Sequence, residues 1–282
     1  MKKYAPARTR MVVVAAALAA LAASITMTGP ASVAATAGVR GPHARAADVR
    51  PVCGPAQKGY LRCFALLRTD VHGGFGVRGP AARAAGQTGA ATSLPAGYGP
   101  ADLRSAYKLP ATGGAGQTVA IIDWGDDANA EADLATYRTT YGLPACTTAN
   151  GCFAKVNQDG NASPLPFNQG TGPEISLDLD MVSAACSSCH ILLVEANSAS
   201  FSDVAVAVNT AAAMGANEIS NSYGSEEQQT MLPFEAAYSH PGAAILVASG
   251  DFGYSLIPNF PANLQSVIAA GGTRLTRAPG TR

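Results

Sequence analysis

Charged residues and histidines are both scarce in this chain. Only 13% of its 282 residues are charged and 48% are hydrophobic, which excludes a disordered chain and leaves ample material for a core. The formal net charge is zero, so the composition gives no reason to expect a nucleic-acid partner. An ordinary Ser-His-Asp triad lacks a convincing base, because the four histidines lie in the amino-terminal segment or at predicted element ends: His43, His72, His190 and His240.

Several familiar binding and catalytic motifs are also missing. No G-x-G-x-x-G follows the first predicted strand, because Gly113-Gly114-Ala115-Gly116 precedes it, on the wrong side to bind phosphates. The sequence contains no G-x-x-x-x-G-K-[ST], H-E-x-x-H or G-x-S-x-G. It therefore has no signature of a P-loop, a zinc protease or an α/β-hydrolase nucleophile. Beyond the amino terminus, no apolar stretch is long enough to span a bilayer.

The amino terminus has the organisation of a signal peptide. Basic residues within positions 2–10 precede an apolar run over residues 11–27, and Ala35-Thr36-Ala37 supplies the small residues of a signal-peptidase site. The run is short, rich in Ala and followed by Gly and Pro, which favours secretion over a membrane anchor. We predict that residues 1–37 are a signal peptide. Residues 38–97 are predicted to be a short pro-segment or linker, with a disordered leader as the alternative.

The six cysteines fit an oxidising compartment and occur in close pairs. Sequence alone permits about 15 connectivities, of which we favour nearest-neighbour pairing: Cys53 with Cys63, Cys146 with Cys152, and Cys186 with Cys189. The segment Cys186-Ser-Ser-Cys189-His190 also matches the short pattern for covalent haem attachment. Because His190 is followed by the apolar run 191–194, we expect a structural disulfide there.

From residue 98 onward, apolar runs alternate with helical segments. The predicted strands are 117–123, 190–195, 218–222, 243–248 and 266–270, and the predicted helices are 129–141, 173–185, 201–214 and 229–240. This alternation predicts an α/β fold with a mostly parallel sheet and helices on both faces. Ligands of such sheets bind at the carboxyl ends of the strands, where loops begin at Asp123, Glu195, Asn221, Ser249 and Ala270.

Carboxylates are the candidate catalytic groups at these positions. Glu174 and Asp178 are four residues apart in an otherwise apolar helix, so they share one helix face. Coupling between two such carboxyls separates their pKa values. The alternative for Glu174 is a structural acid that interacts with the helix dipole. Asp251 follows an apolar strand within Ser249-Gly250-Asp251-Phe252-Gly253, where the alternative is a simple turn.

In order, these segments resemble the sedolisins, or serine-carboxyl peptidases, which share the subtilisin fold. The resemblance spans about residues 98–273. Its specific pieces lie on alternating strands and helices: Glu174-Ile175-Ser176-Leu177-Asp178, Ser220-Asn221-Ser222-Tyr223-Gly224, Ser249-Gly250-Asp251-Phe252-Gly253, Phe260-Pro261-Ala262 and Gly271-Gly272-Thr273. The resemblance therefore implies an exported endopeptidase domain over residues 98–282, subtilisin-like and incomplete at its carboxyl end.

The resemblance also implies a role for each acid. Glu174 would be the general base to a serine hydroxyl, Asp178 would hold Glu174, and Asp251 would be the protonated donor to the tetrahedral oxyanion. Glu174 must then be ionised while Asp251 is protonated, a combination favoured below neutral pH. Asp123 is expected to be structural, and Asp126 and Asp127 an exposed loop pair.

The substrate implied by the resemblance is a peptide or an unfolded protein. Ser222, Tyr223 and Gly224 would bind its backbone as an added strand. Neither nucleic acid nor membrane is expected as a partner after signal cleavage. The family calcium site would lie in the part that this sequence does not contain, so no metal ligand and no cofactor is expected here.

The nucleophile is the main departure from the family. Sedolisins take it from a Gly-Thr-Ser motif downstream of the Gly-Gly-Thr strand, and the 282 residues contain no Gly-Thr-Ser. We therefore expect a truncated, secreted domain that is inactive alone. The alternative is a non-catalytic secreted module that binds extended peptides. A third hypothesis, a nucleotide-binding or haem-carrying α/β protein, has only the fold class and the 186–190 segment in its favour.

Overall fold

The computed structural model describes residues 49–69, 94–95, 97–110, 113–251, 253–254, 256–273 and 275–276. The predicted signal peptide, 1–37, and much of the segment 38–97 lie outside the described residues. All described residues belong to one compact unit, 44–282. Within the described part of the chain, no helix is long and apolar enough to cross a membrane.

Strands and helices alternate after residue 98, as predicted. The strands are β1 Val49–Pro51, β2 Arg62–Cys63, β3 Leu66–Arg68, β4 Thr118–Trp124, β5 Phe153–Asn157, β6 His190–Ala196, β7 Glu218–Asn221, β8 Tyr223–Glu226, β9 Ala244–Ala248, β10 Asn259–Phe260 and β11 Ile268–Ala270. The α-helices are α1 Pro100–Tyr107, α2 Ala130–Thr140, α3 Gly172–Ala185 and α4 Phe201–Ala213. A 3₁₀ helix covers Gln229–Tyr238.

The main sheet has six strands in the order β11-β9-β7-β4-β6-β5. Every neighbouring pair in it is parallel, which confirms the α/β prediction. Strand β4 lies near the centre, where Asp123 pairs with Glu195 of β6 and Ile122 with Asn221 of β7. The carboxyl ends of these strands therefore bring polar side chains to one edge of the sheet.

Two hydrophobic clusters cover the opposite faces of the sheet. Ile122 packs with Val204 and Val208 of α4 in one cluster, while Ile121 packs with Ile175 and Leu179 of α3 in the other. Successive side chains of a strand point to opposite faces, so the continuous apolar run of β4 serves both clusters. Helix α3 is thereby held against the face that carries Asp123 and Glu195.

The structure differs from the sequence prediction in several elements: α1, β8 and β10 were not predicted, and two further segments also differ. The segment 229–240 was expected to be an α-helix, but Gln229–Tyr238 is a 3₁₀ helix with Pro233 inside it, because proline removes an α-helical hydrogen bond and clashes with the preceding turn. The edge strand β5 was not predicted. Its sequence, Phe153–Asn157, is too short and mixed for an apolar run.

The front segment is more ordered than a loose linker. Strands β1 and β3 form an antiparallel pair, and β2 pairs antiparallel with β8. Leu61, Cys63, Phe64 and Ala65 are all buried. Residues 49–69 are therefore part of the folded unit.

The three nearest-neighbour disulfides are confirmed. Cys53 is bonded to Cys63, Cys146 to Cys152 and Cys186 to Cys189. The first closes a loop within the front segment, the second joins the α2–β5 connection, and the third lies between α3 and β6. Each restricts the unfolded chain locally, so its effect on stability is smaller than that of a bridge closing a long loop.

A buried arginine fixes the connection after α2, and its replacement is expected to be costly. Arg138 is 1% exposed; it donates to Ser183 Oγ at 3.0 Å, to the Ser187 carbonyl at 2.6 Å and to the Pro144 carbonyl. Arg138→Met leaves these acceptors without a donor, so we expect a loss of roughly 3 kcal/mol in the free energy of unfolding. Urea denaturation measures it.

Arg104→Met is the matched control for this substitution. Arg104 lies on α1 and is partly exposed, so its replacement should change the unfolding free energy by less than about 0.5 kcal/mol. Equal effects of the two substitutions would contradict the role given to Arg138.

Candidate active site

Helix α3 places two of the predicted acids together at the carboxyl edge of the sheet. Pro173 lies in its first turn, and the Thr171 hydroxyl just before the helix donates to the carbonyl of Trp124 at the end of β4. Glu174 is 2% exposed and Asp178 is 8% exposed. Their spacing of one helical turn stacks both carboxyls on the buried face, as the sequence predicted.

Burial and mutual repulsion raise the pKa of both carboxyls. The pKa of Glu174 rises to about 8, mainly through burial and then through Asp178. The pKa of Asp178 rises to about 6 through burial, against a hydrogen bond from Ser222 that lowers it. These shifts oppose the ionised Glu174 that the resemblance implies in acid, and its role as a base stays a prediction. The physical reason is that protein atoms exclude water from both groups.

Asp251 completes the group of predicted acids. It follows Gly250, whose φ of 110° suits glycine at the tight turn after β9. The Asp251 side chain is exposed, yet the protein around it raises its pKa through partial burial. Its charge raises the pKa of both Glu174 and Asp178, so the fold brings the three carboxyls into one neighbourhood.

The segment predicted to bind the substrate backbone adjoins these acids. Ser222 hydrogen-bonds the carboxylate of Asp178. Tyr223 is fully buried and its hydroxyl donates to Asn221 Oδ1, so it offers only its backbone to a ligand. Gly224 lies beside it in β8, which forms a three-stranded sheet in the order β10-β8-β2. One neighbour of β8 is therefore the front segment.

The front segment reaches the acids directly. Arg62 pairs with Gly224 and Cys63 with Tyr223. Two residues further along, the N–H of Ala65 donates to Glu174 Oε2 at 3.1 Å. A peptide amide of the chain therefore meets the predicted general base.

Two further buried carboxyls, those of Asp123 and Glu195, belong to this group of acids. The sequence analysis did not include either of them among the candidate catalytic residues. Asp123 is 1% exposed, with neither carboxyl oxygen hydrogen-bonded within the described residues. Burial raises its pKa well above the ordinary value, with further repulsion from Asp178, Glu174 and Glu195. Burial also raises the pKa of Glu195 to about 8. The available signal was the position of both acids at the carboxyl ends of adjacent strands.

The expected exposed pair, Asp126 and Asp127, is in fact packed against this group. Asp127 is buried, and its N–H donates to Glu195 Oε1 at 3.1 Å. Lys155 Nζ lies 2.5 Å from Asp126 Oδ1 and 3.7 Å from Glu195 Oε1. Lys155 on β5 holds the loop of Asp126 and Asp127 against Glu195, because a partly buried ammonium group is stabilised by nearby carboxylates.

Two cavities lie away from these acids. The larger, about 420 Å³, is lined by the Cys186–Cys189 loop, Gln117 and Glu218, at the amino ends of the strands. The smaller, about 360 Å³, lies between the 3₁₀ helix and Phe260. Among the described residues, no group of three or more His, Cys, Asp or Glu side chains could hold a metal ion. The calcium site implied by the family stays a prediction outside this sequence.

Comparison with known proteins links this arrangement to peptidases. The chain is 29% identical over 255 residues to kumamolisin from Bacillus sp. (strain MN-32), covering 83% of this chain and 41% of kumamolisin. Its fold is similar to that of Pseudomonas sedolisin, a serine-carboxyl proteinase solved with two molecules of pseudo-iodotyrostatin. That match has a TM-score of 0.54 and 23% identity, and covers 65% of this chain and 55% of the sedolisin chain.

The chain thus spans less than two thirds of the length of either protein. No family model matches it. The kumamolisin match covers 255 residues, so it extends well beyond the short motifs on which the resemblance was first based. The match and the sedolisin-like fold support the resemblance of this chain to the sedolisin family of serine-carboxyl peptidases.

Proposed function

We propose that this chain carries the acid groups and the substrate strand of a secreted serine-carboxyl endopeptidase. The observation that carries the proposal is the hydrogen bond from the Ala65 amide to Glu174, beside Asp178 and Asp251. It supports the proposal because the segment that follows β2, which pairs with β8, brings a peptide amide of this chain to the carboxyl proposed as the base. In peptide hydrolysis the base must lie within hydrogen-bond reach of the groups whose protons it moves, including the leaving nitrogen, which receives a proton.

Each acid has a distinct proposed role. Glu174 would take the proton of a serine hydroxyl and return it to the leaving amine. Asp178 is a positioning residue that holds Glu174 and is itself held by Ser222. Asp251 would donate its proton in a hydrogen bond to the oxyanion of the tetrahedral intermediate. The raised pKa of Asp251 supports this role, because a donor carboxyl must stay protonated, most readily at acidic pH.

The nucleophile would have to be added to these groups. The sequence contains no Gly-Thr-Ser, so we propose that the 282-residue chain alone does not hydrolyse peptides. The second candidate function is therefore a non-catalytic peptide-binding protein. The pairing of β8 with an extended strand of the same chain favours it, since that surface accepts a peptide backbone without any serine.

Secretion is the proposed location. The pattern of residues 1–37 supports a signal peptide, and the three disulfides are typical of oxidising compartments. Residues 111–282 carry 16 acidic and 5 basic residues, and such a surface loses self-repulsion in acid.

Supplying the serine tests the peptidase proposal. The chain would be fused to the part of kumamolisin that follows the matched region, and an unfolded protein would be incubated with it at a series of pH values from about 4 to about 8, which spans the ordinary carboxyl pKa and the raised pKa of Glu174. Mass spectrometry would then detect fragments. We expect hydrolysis by the fusion and none by the 282-residue chain. Glu174→Gln should reduce the initial rate at least about 100-fold, as expected when a general base is lost.

Glu227→Gln is the matched control, because Glu227 is exposed and outside the acid group. Circular dichroism would establish that each fusion is folded. A folded fusion that cleaves nothing would contradict the peptidase proposal. Hydrolysis that survives Glu174→Gln would reject Glu174 as the base, and hydrolysis by the 282-residue chain itself would reject its proposed inactivity.

A further inference from the structure

The disulfide between Cys186 and Cys189 lies outside the hydrophobic core. Both cysteines of each of the other two disulfides pack in or against one of the two hydrophobic clusters, whereas Cys186 and Cys189 belong to neither cluster of the described residues. Their bridge also closes the shortest loop of the three, with a sequence separation of 3 against 10 and 6. Such a loop restricts the unfolded chain least, so neither core packing nor loop closure accounts for this bridge.

The same disulfide lines the larger of the two cavities. Cys186, Cys189 and the two serines between them form part of the wall of the cavity of about 420 Å³, and the other two disulfides line neither cavity. Gly114 lies in the same wall, where a Cβ would be 2.1 Å from Cys186 Sγ and 2.5 Å from Cys189 Sγ. The bare backbone of this glycine therefore packs directly on the bridge, and no side chain at position 114 fills the space beside the sulfurs.

The two cysteines of this bridge differ in their access to solvent. Cys186 follows the last residue of α3 and is partly exposed, whereas Cys189 is 3% exposed. Thiol–disulfide exchange begins when a thiolate attacks one sulfur and the other sulfur leaves, and it depends on access to the sulfur attacked. The difference in exposure therefore makes Cys186 the sulfur that is attacked and Cys189 the sulfur that leaves.

The wall of the cavity also carries one cation and one anion. Arg104 of α1 and Glu218, the first residue of β7, both line it. A guanidinium group binds carboxylates and a carboxylate binds ammonium groups, so these walls suit a small molecule that carries both charges. The volume lies within the range of small-molecule sites, about 300–1,000 Å³. Thiols of the amino-acid type, such as cysteine and glutathione, have this combination of charge and size.

We propose that the Cys186–Cys189 bridge is a thiol–disulfide exchange site for small thiols of the amino-acid type. A thiolate attacks Cys186 Sγ to form a mixed disulfide, the bond to Cys189 breaks, and the Cys189 thiolate takes up the proton that the thiol has lost. A second thiolate attacks the sulfur of the bound thiol, the two small molecules leave as a disulfide, and the Cys186 thiolate takes up the second proton. Two thiols are oxidised and one disulfide of the protein is reduced. This inference does not depend on the proposed peptidase function, because the cavity lies at the amino ends of the strands.

Reduction of the folded 282-residue chain by glutathione tests the proposal. Samples taken at intervals at neutral pH would be quenched in acid, alkylated and digested, and mass spectrometry would follow each disulfide separately. The other two disulfides are internal controls, because unfolding would expose all three. We expect the Cys186–Cys189 bridge to be reduced at least about tenfold faster than either of them, with glutathione trapped on Cys186. Equal rates for the three disulfides would overturn the exchange site, and glutathione trapped on Cys189 would overturn the assignment of the attacked sulfur.

Arg104→Met tests the class of thiol. It should slow reduction of the Cys186–Cys189 bridge by glutathione at least about threefold, because the carboxylates of glutathione lose the guanidinium group. Reduction by 2-mercaptoethanol, which carries no carboxylate, should be unchanged. Arg50→Met is the matched control, since Arg50 is exposed on β1 and does not line the cavity; it should alter neither rate. If Arg104→Met slows both thiols equally or slows neither, recognition of amino-acid-type thiols by this cavity is wrong.

Discussion

The free energy of unfolding is expected to fall by several kcal/mol as the pH rises from about 4 to about 8. Glu174 and Glu195 are 2% and 0% exposed, and burial raises the pKa of each from 4.5 to about 8. The folded state therefore binds these protons more tightly than the unfolded state does. Stability from this source is complete below about pH 4.5, declines as the unfolded chain ionises, and is lost above about pH 8.

The magnitude follows from the size of the shifts. Each group contributes on the order of 3–5 kcal/mol between the two limits, because one pKa unit corresponds to about 1.36 kcal/mol. Asp123 and Asp178 shift in the same direction and steepen the fall. Urea denaturation at a series of pH values measures the slope.

Glu195→Gln isolates one of these protons. Glutamine keeps the oxygen that accepts the Asp127 N–H but does not titrate, so the variant should be a few kcal/mol more stable than the wild type at pH 8 and nearly equal to it at pH 4. Glu227→Gln, at an exposed position, should leave the slope unchanged. Parallel curves for wild type and Glu195→Gln would show that this carboxyl is not a source of the pH dependence.

The second large effect is expected from Gly224→Val. A Cβ at this position would lie 2.9 Å from the Phe260 carbonyl oxygen and 2.9 Å from Phe64 Cζ. The first contact is with the backbone of β10 and cannot be relieved by a side-chain rotation, so β8 and β10 have to separate, and the second contact displaces the Phe64 ring of the front segment. We expect a loss of at least about 2–3 kcal/mol in unfolding free energy, the cost of overpacking a closely packed site. Trypsin cleavage after Arg62 should become at least tenfold faster.

The cleavage site makes this result easy to interpret. Arg62 pairs with Gly224 in the folded chain, and a paired strand resists proteolysis until it opens. Fragments would be separated after reduction, because Cys53–Cys63 holds them together. Gly272→Val is the control, since a Cβ there meets nothing within 4 Å. If Gly224→Val leaves both stability and cleavage after Arg62 unchanged, the close packing of the front segment on β8 is wrong.

The two effects meet at Glu174, whose carboxyl accepts a hydrogen bond from Ala65 of the front segment. In acid the protonated carboxyls tolerate burial, whereas near pH 8 they would ionise without enough positive partners. Lys155 is the cation that lies closest to Glu195, at the far end from Glu174. The folded form is therefore best suited to acidic conditions. At Glu174 the Ala65 N–H lowers the pKa of the carboxyl, against the larger effect of burial.

Local pattern determined much of the fold before any coordinates. The apolar runs at β4, β6 and β9 and the helical spacing of α2 to α4 need only neighbouring residues to be recognised. The same holds for Glu174 and Asp178, because a spacing of four residues puts two side chains on one face of any helix. The close cysteine pairs are also local. Pro233 shows the limit of such local patterns. The apolar pattern around it predicts an α-helix, whereas the segment with this proline forms a 3₁₀ helix.

Local sequence patterns are therefore sufficient for the α/β architecture, the disulfides and the helix face shared by two acids. Tertiary structure alone decided the neighbours of those acids. Ala65 and Glu174 are 109 residues apart, and Asp123 meets Glu195 only because β4 and β6 are adjacent in the sheet. The raised pKa values and the packing of the front segment on β8 depend on such contacts between distant segments, because burial is a property of what packs around a group and not of the residues beside it.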